Sequence, residues 1–227
     1  MAEARRVADD IKAPTWIMAR HQTAARGRRG KTWITPAGNL SATLIFHPLC
    51  TPAVAAQRSF LAANALFETL ALYVDRTKLA LKWPNDVLLR GGKVAGILLE
   101  TSGRGPFVDW LSVGIGVNLK AMPEGVTDAA FPPMTLKKAI GDNVGPGEFL
   151  VYLAGAFATQ EKKLDQFGFD RIRRDWLSNA ARLGEIITAK TGTETISGIF
   201  DTIDQDGNLV LITGQGPRAI PAADIYF

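Results

Sequence analysis

Arg26, Arg28, Arg29 and Lys31 crowd with Gly27 and Gly30 into the stretch Ala25-Arg26-Gly27-Arg28-Arg29-Gly30-Lys31-Thr32-Trp33. Guanidinium and ammonium groups spaced by glycine suit an anion with several oxygens, because charge comes from the side chains while glycine lets the backbone come close. Downstream, Lys82-Trp83-Pro84-Asn85-Asp86 sets a cation and a carboxylate on either side of a turn; Pro84 stops a ladder and Asn85-Asp86 can bond back to the backbone. Lys93 then opens the apolar run Lys93-Val94-Ala95-Gly96-Ile97-Leu98-Leu99-Glu100, where a flexible ammonium can reach into a neighbouring cleft. Gly96, Gly114 and Gly116 fall inside apolar runs, and glycine in a strand often marks the close approach of a ligand or another backbone. Asn118 closes the string Val113-Gly114-Ile115-Gly116-Val117-Asn118 with an amide. Singly, each has a plain reading: a solvated basic loop, a tight turn around a core tryptophan, a solvated strand-end lysine. No single one is decisive; their order and spacing are.

The arginine stretch comes within one glycine of the phosphate-cradling pattern G-x-x-x-x-G-K-[ST], with Ala25 in place of the first glycine. That pattern needs a helix to start at the lysine, whereas Trp33-Ile34-Thr35-Pro36-Ala37-Gly38 is β-branched and then broken, so another kind of anion loop is expected. The chain has 227 residues, 47% of them hydrophobic, enough for a sizeable core. Its 26 basic and 22 acidic side chains leave +4, which favours anionic ligands but lacks the dense stripes of a nucleic-acid binder. Cys50 is the sole cysteine, and His21 and His47 show no metal-ligand spacing with it. A cytoplasmic protein without structural zinc, membrane segment or export signal is expected.

Periodicity predicts a helix over residues 2–12, a short strand over 15–18 running into the arginine loop, and a strand over 40–46. Pro52 should open a long helix with Phe60, Ala63, Phe67, Leu70 and Val74 on one face. Strands are predicted over 79–81, 87–89, 94–100 and 107–117, with Gly91-Gly92 turning the second into the third. Residues 120–147, rich in Pro and Gly, read as a surface excursion with a helical turn or two over 134–140. Helices follow over 148–167, with Phe149, Leu153, Phe157, Leu164 and Phe167 inward, and over 171–179; Trp16 and Trp110 read as core. From residue 183 the sequence turns to short β-branched runs, which predict a small barrel. The chain thus reads as α+β: a mixed, largely antiparallel sheet covered by helices over residues 1–180, and a small β module over 181–227.

Together these strings resemble the biotin protein ligases, the biotin–[acetyl-CoA-carboxylase] ligase family, in its short form without a DNA-binding domain. That family carries a G-R-G-R-[RQ]-G loop, a K-W-P-N-D string, a K-x-x-G-I-L-x-E strand and a G-[IV]-G-[IV]-N strand in this order. The resemblance implies a catalytic domain of the class II aminoacyl-tRNA synthetase/biotin ligase type, shared with lipoate ligases, and an SH3-like C-terminal barrel. It also implies ATP and Mg²⁺ use, biotinyl-5′-AMP formation, and transfer of biotin to a lysine of a biotin carboxyl-carrier protein, with a homodimer as a further expectation.

By the same resemblance Lys93, Arg26 and Arg28 are the catalytic residues, and Lys93 bridges the biotin carboxyl and the α-phosphate. Gln22, Gly27, Gly96 and Gly116 join them around biotin. Arg28, Arg29, Trp33, Lys82, Asn85, Asp86 and Asn118 serve ATP, with Asp86 also on Mg²⁺. The arginine loop and Trp33 would shield the adenylate from water. Two departures stand out. Ala25 replaces a loop glycine, tolerable where φ is negative and costly where it is positive. Met1 falls in the third slot of a Ser-Thr-Asn or Ser-Thr-Met string that contacts biotin in the family, so the reading frame is expected to continue upstream. The competing readings are an impaired or non-catalytic relative that binds the adenylate or the carrier, and lipoate or octanoate transfer on the same fold.

Overall fold

The computed structural model describes residues 1–30, 33–103, 105–123 and 131–227. Its centre is a six-stranded sheet built from β1 (Thr15–Met18), β2 (Leu40–Phe46), β3 (Leu79–Lys82), β4 (Asp86–Leu89), β5 (Gly92–Ser102) and β6 (Trp110–Val117). The order is β1-β2-β6-β5-β4-β3, and every ladder is antiparallel, so the mixed sheet expected from sequence is uniform in direction. Side chains alternate across such a sheet, and each strand must satisfy two environments. On β2, Leu40, Ala42 and Leu44 enter the main core, while Ser41, Thr43 and Ile45 face the other way.

Helices α2 (Pro52–Ala56), α3 (Arg58–Leu70), α4 (Leu136–Ile140) and α5 (Pro146–Leu177) follow α1 (Ala2–Val7) in the chain. The long helix predicted from Pro52 is two, parted at Gln57 and ending at Leu70, which leaves Val74 beyond it. Likewise α1 stops at Val7 and passes into a 3₁₀ turn over Ala8–Asp10. The two helices predicted after residue 148 are both present within the span α5, which parts at Gly168 (φ +69°), so the second begins earlier than predicted. That break shifts the apolar phase: Phe167 is 64% exposed, and Phe169 packs edge-on against Phe60 with ring centroids 5.5 Å apart. Phe149, Leu153 and Phe157 are buried as their spacing predicts. Trp110 is buried, and the half-buried Trp16 meets Phe157 edge-on at 5.8 Å.

Two turns differ from their sequence readings by a residue or more. The β4–β5 hairpin turns at Arg90-Gly91, both with positive φ (+51° and +78°), so Gly92 already pairs with Leu89. Strand β6 begins at Trp110, and Phe107, 57% exposed, precedes it. The excursion after β6 contains α4 as predicted; its residues 124–130 lie outside the described residues.

The C-terminal strands are β7 (Ile186–Lys190), β8 (Thr195–Ile203), β9 (Leu209–Thr213), β10 (Gly216–Ile220) and β11 (Asp224–Tyr226). They pair in the order β10-β9-β8-β7-β11, and no ladder joins β10 to β11, so the predicted barrel is an open five-stranded sheet among the described residues. Residues 216–220, predicted to begin in a turn, supply the extra strand. One apolar core runs from Leu40 to Ile225 through both sheets. Trp176 meets Phe200 at 6.5 Å, and the Trp83 indole donates to the Gly207 carbonyl at 3.0 Å. Trp83 thus ties the β3–β4 turn to the second sheet.

Candidate active site

On the face of the main sheet turned away from α3 and α5, one cross-strand row reads Lys82, Asp86, Gly96, Gly116, Ser41, from β3 through β4, β5 and β6 to β2. The next row places Leu98, Gly114 and Thr43 side by side. Three glycines at the middle of a sheet remove side chains where others would stand, leaving a trough within a cavity of about 480 Å³. Its floor admits close approach: a Cβ on Gly116 would lie 2.6 Å from the Trp33 indole, and one on Gly114 2.6 Å from the Met1 sulfur.

Strict alternation along β5 would put Lys93 on the core side with Ala95 and Ile97. A bulge prevents this. Val87 pairs with Ala95 and Leu88 with Lys93, so Val94 is an extra residue and the phase flips, turning Lys93 to the trough. The end of β6 holds the bulge: the Asn118 backbone donates to Val94 at 2.8 Å and its side-chain amide to the Lys93 carbonyl at 3.3 Å. Across the β3–β4 turn, the Asn85 amide donates to the Ile97 carbonyl at 2.6 Å, and the Ile97 N–H returns to Asn85 at 2.9 Å.

Asp86 is buried between two ammonium groups, with Lys93 Nζ at 2.6 Å and Lys82 Nζ at 3.4 Å. Burial alone would push its carboxyl up, but the charges of Lys93 and Lys82 outweigh that and hold it below the ordinary carboxylate range. Burial pulls the Lys82 ammonium below its usual value despite Asp86, and its head lies 4.9 Å from the Phe131 ring centroid. Lys93 also sits over Trp33, 5.4 Å from the ring centroid.

The arginine loop closes one side. Arg26 pairs with Glu100 through Nε at 2.9 Å and Nη2 at 2.7 Å. Arg29 reaches Asp224 of β11 at 3.9 Å. Arg28 is pulled below its usual value by burial and by Arg29, against the opposing pull of Asp86 and Asp224. Positive φ in this loop falls on Arg29 (+54°) and Gly30 (+74°), not on Ala25, so alanine fits the place of the family glycine. Lys31 and Thr32 lie outside the described residues. The cavity wall therefore carries Arg26, Arg28, Arg29, Lys82 and Lys93 against the carboxylates Asp86 and Asp224. Such an excess of fixed cations at a glycine floor can draw two anionic groups together.

The model of the biotin/lipoate A/B protein ligase family matches residues 3–118. The chain belongs to that family. The biotin protein ligase C-terminal domain matches residues 183–227, the second sheet. The chain is 50% identical over 229 residues to the biotin–[acetyl-CoA-carboxylase] ligase of Paracoccus denitrificans, covering 100% of this chain and 95% of that one. It is 31% identical over 217 residues to the bifunctional ligase/repressor BirA of Bacillus subtilis, covering 93% of this chain and 65% of that longer protein. Among solved structures, a biotin protein ligase from Aquifex aeolicus in complex with biotin and ATP superposes with a TM-score of 0.81 at 25% identity, covering 97% of this chain and 92% of that one.

All the residues that the family resemblance singles out, from Gln22 to Asn118, line this one cavity. Sequence reasoning missed several wall residues and one residue that holds the arginine loop from outside the lining. Glu100 stands in the quoted K-x-x-G-I-L-x-E string, yet its pairing with Arg26 joins residues 74 apart in sequence. Ser41 and Thr43 left a trace as polar positions alternating with Leu40, Ala42 and Leu44. Asp224 and Tyr226 left none, because only the docking of the second sheet brings β11 to the wall.

Proposed function

We infer that this protein is a biotin protein ligase, which joins biotin to ATP as biotinyl-5′-AMP and passes the biotinyl group to a lysine of a carrier protein. The observation that carries the reading is Lys93, re-aimed by a bulge into a glycine-floored trough beside the arginine loop. In the first step a biotin carboxylate oxygen attacks the α-phosphorus, the bond to the bridging oxygen breaks, and pyrophosphate leaves. Both partners are anions. Lys93, between them, would offset their repulsion and stabilise the charge that builds on the α-phosphate oxygens. Lys82, Arg28 and Arg29 would hold the leaving phosphates, and Arg26, fixed by Glu100, would cover the biotin side.

In the second step a carrier lysine, as the free amine, attacks the acyl carbon, the bond to AMP breaks, and the amine loses its proton. The mixed anhydride between the steps must be kept from water, a task for the arginine loop and the Trp33 indole seated on Gly116. The acceptor would be the biotin carboxyl-carrier protein of a carboxylase. We assign the ligase chemistry to residues 1–180 and read residues 181–227 as a small SH3-like module whose last strand completes the wall.

Magnesium fits poorly as a resident ion. Among the described residues no three of His, Cys, Asp and Glu gather to hold a metal, and both Asp86 oxygens already face ammonium groups. Mg²⁺ would arrive on the triphosphate, ligated chiefly by phosphate and water oxygens, and Asp86 would join only by giving up a lysine. The test is direct: the protein, biotin, ATP and an apo carrier domain are mixed, and intact mass of the carrier should rise by one biotinyl group. A carrier left unmodified by folded protein overturns the reading.

A further inference from the structure

We propose that the cleft between α3 and the two arms of α5 is a second binding site, suited to a small phosphorylated polyol and separate from the trough on the other side of the sheet. Its volume is about 240 Å³, and every residue lining it is polar or charged. That is room for roughly eight waters at about 30 Å³ each. Gly168 makes the cleft. Lys163 and Asp175 are 12 residues apart, about 18 Å along an unbroken helix, yet Lys163 Nζ stands 2.6 Å from Asp175 Oδ2. The break at Gly168 turns the second arm of α5 back toward the first, and α3 closes the third side.

Two carboxamides form the inner wall. Asn64 and Gln160 are each 4% exposed, and neither side-chain carbonyl oxygen has a partner among the described residues. The Asn64 amide donates to the Ile172 carbonyl at 3.0 Å, which fixes its orientation and leaves Oδ1 as the unmet acceptor. A buried acceptor without a donor destabilises the fold, and two beside one hollow call for hydroxyl or N–H donors from an occupant.

Cations gather around the mouth from three segments of chain: Arg76 in the turn after α3, Lys163 on the first arm of α5 and Arg171 on the second. Among the described residues only two carboxylates, Glu68 and Asp175, line the cleft against them, so one positive charge is in excess. Arg76 holds Glu68 through two hydrogen bonds of 2.8 Å and keeps its carboxyl below the ordinary range, with Lys163 adding to that pull. Arg171 meets Asp175 through Nε at 3.0 Å, which leaves its two terminal nitrogens for another acceptor. Its side chain is 49% exposed, so charge stands at the mouth and carboxamides stand inside. Cations converging from separate segments suit a tetrahedral phosphate better than a flat carboxylate, and hydroxyls on the same molecule would reach the carboxamides. A bare hydrogen phosphate, with one O–H, would leave a carboxamide unmet, and an uncharged polyol would leave the excess cation unpaired.

Calorimetric titration of the full chain with glycerol 3-phosphate, inorganic phosphate and glycerol tests the site in wild type, Gln160→Met and Lys163→Met. Wild type should bind glycerol 3-phosphate saturably and at least about tenfold tighter than inorganic phosphate, equivalent to about 1.4 kcal/mol, and should not bind glycerol. Gln160→Met keeps the side-chain length and removes the orphaned oxygen, so without ligand it should unfold at the wild-type temperature or above. It should nevertheless bind glycerol 3-phosphate at least about tenfold more weakly. Lys163→Met should weaken glycerol 3-phosphate and inorganic phosphate alike. Pyrophosphate release with biotin and ATP should stay within about twofold of wild type in both variants, because neither residue lines the trough. Absence of saturable glycerol 3-phosphate binding overturns the proposal, as does unaltered affinity in either variant. Binding no tighter than that of inorganic phosphate overturns it too, and marks an adventitious ion only.

Discussion

Ile115 and Gly116 are neighbours on β6, yet one is buried in the helix-covered core and the other is floor beneath Trp33. The contrast holds across the sheet: Ala42, Ile97 and Ile115 face the helices, while Thr43, Gly96 and Gly116 face the trough. The helix side is filled with branched apolar groups, and the trough side is stripped to glycines and small hydroxyls with charges at one end. The difference teaches that stability and chemistry are assigned to opposite faces of the same strands. A substitution should therefore act on one and largely spare the other.

The largest effect is expected at Lys93. Lys93→Ala should slow adenylate formation by 10²–10³-fold, about 3–4 kcal/mol in the barrier, the scale for removing one preorganised charge-stabilising group. Thermal unfolding should move little, since Lys82 remains beside Asp86. Pyrophosphate release at the wild-type rate in this variant would remove Lys93 from the mechanism. On the opposite face, Ile115→Ala should cost about 3 kcal/mol of stability by leaving a cavity in the core, with kcat per folded molecule unchanged. A denaturant midpoint equal to wild type would show that the helix side is not where stability resides.

Gly116→Ala sharpens the comparison because it sits next to Ile115. The added methyl would meet the Trp33 indole at 2.6 Å, so the ring must leave its seat. We expect KM for ATP to rise about tenfold, about 1.4 kcal/mol, with the melting temperature unaltered. If ATP binds as before, the glycine is not the seat of the indole during turnover. The smallest effect is expected for Glu100→Gln, which breaks the partly exposed pair with Arg26 and should change stability by less than about 1 kcal/mol. Its signature is a faster tryptic cut at Arg26; an unaltered cleavage rate would show that Glu100 does not restrain the loop.

Much of the main sheet was legible because period-2 alternation and the turn residues mark its strands, and β2 begins and ends as the pattern says. Helix ends were less legible. The break at Gly168 was marked by the glycine itself, which takes positive φ where the first of the two predicted helices ends, whereas no cap signal announces the part at Gln57. The second sheet announced its strands but not its closure, since short β-branched runs look alike in a barrel and in an open sheet. Among the site residues, the loop arginines and Lys93 stood out by charge, whereas Ser41 and Thr43 look like any polar side of a strand.

By itself the sequence determined the family, through four ordered strings whose charges and glycines have no common structural excuse, and it named the charged residues of the cavity's wall apart from Asp224. Only the tertiary structure decided which way those residues face. The Val94 bulge turns Lys93 from the core to the trough, and the register of five strands aligns Lys82, Asp86, Gly96, Gly116 and Ser41 in one row. The docking of the second sheet brings Asp224 to the arginine loop. Spacing along a chain carries the period of a strand, but a register shift of one residue reverses every face after it, and that shift is set by pairing with strands far away in sequence.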